Sequence, residues 1–283
     1  MSLTTLDSSR ALGQPLELFF FRYGPEEEAF YAFTDGENPV VYGDVTYIPT
    51  PIKRDKVVVN QSLDKQEIKV VVDMTNPVAE LFRVYPPSDV VGLTIRRGHV
   101  GASEFAVIWI GRVQSAARAT KENPRNVELS CIPSSISIRR PGLRRHYQLT
   151  CPHVLYDQDP GSCKASKAAA TISALPVAAV TYTSVTLEPA WFGANAPRTF
   201  IGGMIEWDGE SGRQRRTILR MSNDNLTLTL SAPTTGVLPG STLDVVRGCD
   251  HQLTGCALHS NVVNFGGMPF IPQKNPVRSN PFT

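Results

Sequence analysis

The sequence predicts a mainly β protein: an N-terminal β-barrel-like domain, a small cysteine-bearing domain, and a second small β-barrel inserted between two cysteine pairs. Three observations lead there. Short runs of β-branched and aromatic residues recur through the first half, separated by Gly, Pro, Asp and Asn, which is strand and turn chemistry. A second cluster of such runs lies between 177 and 247. No βαβ alternation occurs, so a doubly wound parallel sheet is not expected.

In chain order, the first block offers Leu16 to Phe21, then Phe30 to Phe33 after the Gly24-Pro25 turn. Val45 to Ile48, Val57 to Val59, Ile68 to Val72, Val90 to Ile95 and Phe105 to Val113 follow. Pro77 to Val84 is the one helix expected here, because proline suits a first helical turn and Ala79, Leu81 and Phe82 suit its interior. The second block offers Val180 to Leu187, Thr199 to Trp207, Arg216 to Met221, Leu226 to Leu230 and Leu243 to Val246. Leucines alternate with threonines in Leu226-Thr227-Leu228-Thr229-Leu230, the pattern of a half-buried strand. Five such strands in so short a stretch predict a closed or nearly closed barrel. The expected domains are residues 1–145, residues 146–176 with 248–275, the inserted barrel at 177–247, and an extended tail at 276–283.

A chain of 283 residues suits two domains at roughly 150 residues each. With 28 Lys and Arg against 26 Asp and Glu, the net charge is +2. That excludes the strongly basic balance of a general nucleic-acid binder. No apolar run reaches the ~20 residues a spanning helix needs. Met1 to Pro15 lacks a basic region followed by an apolar one, so no signal peptide is expected. Folding in a cytoplasm follows, where thiols stay reduced.

Five cysteines then need a reading. Cys249 and Cys256 are seven residues apart, close to two helical turns, so a helix would put both sulfurs on one face. They would stand roughly 10 Å apart along its axis, too far for one metal, and shared ligation requires the helix to unwind, with Gly255 the natural place. Cys151 and Cys163 flank a turn-rich loop with Asp157, Asp159, Pro160 and Gly161. Four thiols from two distant segments match the Cys₄ ligation of iron–sulfur clusters, but neither a CxxC zinc ribbon nor a bacterial ferredoxin spacing. Spacing alone leaves a metal or cluster site, buried free thiols and disulfides all open. Cys131 stands apart: it shares strand parity with Val127 and Leu129 and reads as a small buried hydrophobe.

Several stretches together carry a resemblance. They are Pro15 to Leu18, Tyr42-Gly43 and Thr46 to Pro49; then Gly142-Leu143-Arg144-Arg145-His146-Tyr147-Gln148-Leu149-Thr150-Cys151-Pro152-His153-Val154-Leu155-Tyr156-Asp157; then Gly248 through Cys256, with Asn261-Val262-Val263-Asn264-Phe265-Gly266-Gly267-Met268-Pro269-Phe270-Ile271-Pro272. The chain resembles, over nearly its whole length, the hub proteins of long flexible phage tails and gene transfer agents, a family related to tail-tip protein L of lambda-like phages. The resemblance implies a homotrimeric hub in the virion, between the distal tail ring and the central tip protein, with DNA or the tape measure passing through its lumen. It also implies a [4Fe–4S] cluster on Cys151, Cys163, Cys249 and Cys256. The long interval from Cys163 to Cys249 departs from shorter relatives, and the second β block is read as the insertion that fills it.

The remaining constellations are weighed against this. His153 and His251 lie beside cysteines, and histidine replaces thiolate in some clusters, but four cysteines suffice. Arg139, Arg140, Arg144 and Arg145 precede Cys151; Arg144 and Arg145 would neutralise a negatively charged cluster, or contact an acidic neighbour or DNA, or form a solvated turn. Arg213, Arg215, Arg216 and Arg220 read as an exposed strand face or interface. Glu26-Glu27-Glu28 reads as a solvated loop, and Glu206, Asp208 and Glu210 around Trp207 as a hairpin turn. HExxH, GxSxG, Walker A and GxGxxG are all absent, so no enzymatic activity is expected. A zinc-stabilised adaptor and an iron–sulfur redox protein are the alternative readings.

Overall fold

The computed structural model describes residues 3–8, 13–57, 67–118, 125–139, 147–209 and 212–271. They form two compact units, one within 1–140 with 209–214 and one within 141–208 with 215–283.

In the first unit the strands are β1 (Pro15–Arg22), β2 (Phe30–Thr34), β3 (Val40–Tyr42), β4 (Val45–Pro49), β5 (Ile52–Arg54), β6 (Ile68–Asp73), β7 (Gly92–His99), β8 (Ala106–Arg118) and β9 (Asn126–Pro133). They make one sheet in the order β3-β4-β2-β1-β7-β8-β9-β6-β5. Neighbours are antiparallel except β2 and β4, which pair in parallel. The ladder ends at β3 and β5, so the barrel-like domain expected here is an open sheet, curled rather than closed. The curl is visible in its side chains. Arg54 of β5 pairs with Glu17 of β1, Nε to Oε2 at 2.7 Å, although four strands lie between them in the order. Phe19, Phe21, Ile52, Val70, Ile95 and Leu129, drawn from strands across the whole sheet, share one core.

Two short helices decorate this unit, α1 (Leu3–Ser8) and α2 (Pro77–Leu81). Asn76 Oδ1 accepts the Val78 N–H at 2.9 Å and caps α2, as such residues do at helix starts. The helix stops at Leu81 rather than Val84, and the Phe82 N–H closes onto the Ala79 carbonyl. Of the expected Val57 to Val59 strand, only Val57 lies within the described residues.

A closed barrel of six strands lies in the second unit except at 209 and 212–214: β10 (Thr171–Thr181), β11 (Ser184–Leu187), β12 (Met204–Gly209), β13 (Gly212–Met221), β14 (Thr227–Leu230) and β15 (Thr242–Val246), in the cyclic order β10-β11-β14-β13-β12-β15. Five strands were expected. The Val180 to Leu187 run is divided by a turn into the end of β10 and all of β11, which supplies the sixth. Leu228 and Leu230 face inward while the Thr227 and Thr186 hydroxyls bond across strands at 3.1 Å, so the leucine–threonine alternation is realised. Phe200, Ile205, Ile218 and Val245 fill the interior.

Two sequence readings fail in this barrel. Arg216 is not exposed. It is buried at 4% relative exposure, with its guanidinium carbon 5.4 Å from the centre of the Trp207 ring and Nε donating to the Pro233 carbonyl at 3.1 Å. Strand alternation in β13 turns Gln214, Arg216 and Ile218 inward together, and the aromatic face and carbonyl compensate the buried charge. Glu206 belongs to no turn. It is buried in β12 and receives Lys167 Nζ at 2.6 Å. Arg215 and Arg220 do face solvent, as do Glu26, Glu27 and Glu28.

Candidate metal centre

The barrel's last strand delivers the chain to the cysteines. β15 ends at Val246, and Gly248 then packs backbone against backbone. A side chain there would place Cβ 2.2 Å from the Ile201 carbonyl oxygen, so only glycine allows the approach that precedes Cys249. The Gly248 N–H bonds the Thr199 carbonyl at 2.9 Å. Next to it, the Arg247 carbonyl accepts the Tyr156 hydroxyl, and Arg247 Nη1 donates to the Leu258 carbonyl at 2.9 Å. Burial first, then the neighbouring Cys249 and Cys163 sulfurs, push the Tyr156 hydroxyl up, against the opposing charge of Arg247.

Cys249 and Cys256 do not share a helix face. Helix α3 spans Leu253–Leu258 and carries Cys256 alone. The continuous helix is interrupted at His251, whose φ of 59° is left-handed, and at Asp250, whose Oδ1 accepts the Gln252 N–H at 2.9 Å. The chain is thus redirected before the helix, rather than unwound at Gly255, which is buried within it.

This redirection brings the two cysteine segments together. The Cys151 N–H donates to the His251 carbonyl at 2.8 Å, and His251 Nδ1 bonds the Cys151 carbonyl at 3.0 Å. Asn261, buried, donates from Nδ2 to the Cys163 carbonyl and accepts the Cys256 thiol on its own carbonyl at 3.1 Å. The Cys151–Cys163 loop is closed by the Lys164 N–H on the Asp157 carbonyl at 2.7 Å and the Ser162 N–H on the Asp159 carbonyl at 3.1 Å. The Met268 N–H reaches the Gln148 carbonyl at 2.9 Å, fixing the glycine- and proline-containing segment beside Cys151.

Three of the four sulfurs face amide donors. The Gly266 N–H points to Cys151 Sγ at 3.4 Å, the His251 N–H to Cys249 Sγ at 3.4 Å, and Asn261 Nδ2 to Cys163 Sγ at 3.6 Å. A neutral thiol is a weak acceptor, whereas a thiolate is stabilised by such donors. Against this, burial pushes the Cys249 thiol up, with the Asp250 carboxylate and the Cys163 and Cys151 sulfurs adding to it. Burial likewise raises Cys256, and the other three sulfurs reinforce it. Four sulfurs close enough to repel as anions, three of them supplied with donors that favour the anion, suit a positively charged centre between them.

Among the described residues, no three His, Cys, Asp or Glu side chains are grouped to hold a single metal ion. All five cysteines are free thiols. Cys131 takes no part: it lies in the first unit's core, and burial pushes its thiol up to about 12. Arg140, Arg144, Arg145 and Glu210 lie outside the described residues; a described cation beside this site is Arg247, to which the sequence assigns no role. Asn261 enters the sequence reading only as the first residue of the stretch to Pro272 that carries the resemblance, with no role of its own.

Residues 198–275 match a family model described as phage conserved hypothetical protein BR0599. No curated protein matches the sequence. Among solved structures, a chain of the virion of a native gene transfer agent particle aligns with a TM-score of 0.79 at 16% identity, over 99% of this chain and 95% of that chain. At that identity the likeness is one of fold. No helix among the described residues is long and apolar enough to cross a membrane.

Proposed function

We propose that this chain is a structural virion protein, the hub subunit of a phage-type tail tip, whose Cys151, Cys163, Cys249 and Cys256 hold a [4Fe–4S] cluster. The observation that supports the cluster is the joining of two cysteine segments about a hundred residues apart by the His251–Cys151 and Asn261–Cys163 hydrogen bonds, with three of the four sulfurs facing N–H donors. A single zinc would draw its sulfurs to ~2.3 Å from one point. A four-iron cluster sets one thiolate on each iron and so suits sulfurs that are near one another without forming a single-ion site. When bound, the cluster's positively charged iron–sulfur core would supply a cross-link between the four thiolates. The chain's own residues do the rest: Asn261 and the His251–Cys151 hydrogen bonds hold the two segments in register, and the amide donors balance charge on sulfur.

The virion role is supported by the phage description of the matched family and by the gene transfer agent fold that covers almost the whole chain. The hub is proposed to act as a homotrimer between the distal tail ring and the central tip protein, assembled in the host cytoplasm, without catalysis. Protein purified without oxygen is expected to contain four irons and four acid-labile sulfides per chain. Stoichiometric zinc with no sulfide would instead support an adaptor stabilised by zinc. Mass measurement of assembled tips should give three copies, and six copies would refute the trimer.

A further inference from the structure

His153 lies two residues after Cys151, and its chemistry is unaccounted for. Both its ring nitrogens are buried and neither has a hydrogen-bond partner. A buried imidazole without partners is costly, and an apolar residue would fill the same space without that cost. The ring edge lies against Gly266: a Cβ there would stand 2.5 Å from His153 Nε2 and 2.6 Å from Cε1. The N–H of this same Gly266 points to Cys151 Sγ at 3.4 Å. The imidazole and the Cys151 sulfur therefore meet at one residue, and glycine is what lets them approach.

We propose that His153 is a positioning residue for the group held by the four cysteines, donating its ring N–H to a sulfur on the Cys151 side of that group. This inference rests on the cluster reading above. His153 is not a ligand in it, because the four thiols supply the whole ligand set. A hydrogen bond to sulfur favours the more negative, reduced state, and such bonds are among the factors that set cluster potentials. The imidazole thus both orients the Cys151 side and raises the reduction potential.

The test uses the full chain, reconstituted with iron and sulfide without oxygen. His153→Phe fills the space and removes the donor; His153→Gln restores an N–H. The parent and both variants are measured for iron and sulfide content, the electron paramagnetic resonance signal of the reduced state, and midpoint potential. Expected are four irons in all three, and a lower midpoint in His153→Phe. At the parent's midpoint its oxidised-to-reduced ratio should rise about tenfold, about 59 mV for one electron, and His153→Gln should recover part of this. An unchanged potential in fully loaded His153→Phe overturns the inference. Loss of iron from both variants, with the parent loaded, overturns it in favour of direct ligation. A parent that takes up no iron or sulfide overturns the cluster reading itself, a different result from either. Should His153→Phe not fold, the smaller His153→Leu takes its place in the same comparison.

Discussion

At the scale of single residues, Cys131 gives the plainest test. Its thiol is raised to about 12 by burial alone, whereas an unfolded thiol titrates near 8.5. Above that unfolded value the unfolded chain releases a proton that the folded chain retains, so stability falls with rising pH. The contribution is complete below about pH 8 and should decline by about 1–2 kcal/mol by pH 10. Cys131→Ala should cost stability at pH 7 yet lessen the alkaline decline of the first unit in denaturant titrations at pH 7 and 10. Equal slopes in parent and variant would show that the thiol ionises freely in the fold. Cys131→Ser is expected to leave iron content unchanged. The burial of Cys131 was legible because it shares parity with Leu129 on one strand. Arg216 and Glu206 were not legible for the converse reason. Period-two reading assigns charges to the solvent face, and the partners that permit their burial, Trp207 and Lys167, sit on other strands or loops. A one-dimensional pattern carries no trace of such pairing.

At the scale of elements, strands were more legible than the ways the chain leaves them. Leucine–threonine alternation marked β14, but the exit from β15 depends on Gly248 meeting Ile201 and Gly203, a contact between backbones. Gly248→Ala should therefore cost about 3 kcal/mol or more, since neither backbone can yield to the new methyl; a thermal unfolding midpoint equal to the parent's would contradict that packing. The spacing from Cys249 to Cys256 fits two helical turns and points to a break at Gly255, whereas the break lies before the helix. The Asp250 hydrogen bond to Gln252 and the left-handed His251 override that spacing, and neither residue type excludes helix by itself. Asn261 is the element-scale clamp, joining the residues after α3 to the Cys151–Cys163 loop through the Cys163 carbonyl and sulfur. Asn261→Leu leaves that carbonyl without its donor, a loss of about 1–3 kcal/mol. Faster release of iron to a chelator than from the parent is expected; an unchanged release rate would remove Asn261 from the site.

At the scale of the whole molecule, the arrangement matters through chain topology. Cys163 and Cys249 are separated by 86 positions, and the six-stranded barrel lies between them. A bound centre joining the two pairs closes that interval into a loop. By the chain-entropy estimate, a cross-link over such a loop restricts the unfolded state by about 4–5 kcal/mol, and metal binding adds folding free energy of its own. The segments concerned have little else: α3 is six residues long, and beyond it only a three-residue helical turn precedes the glycines at 266 and 267. The sheet and core of the first unit are built from residues 15–133, outside the interval that this link closes. Cys256→Ser should accordingly loosen the second unit and spare the first. In limited proteolysis of the variant beside the parent, cleavage is expected within 147–167 and 248–271, while a fragment holding the first unit persists. Tail assembly should fail in the same variant. If both cysteine segments stay as protected as in the parent and tails assemble, the centre does not staple the fold. The barrel's closed ladder would then suffice to hold the chain on either side of it.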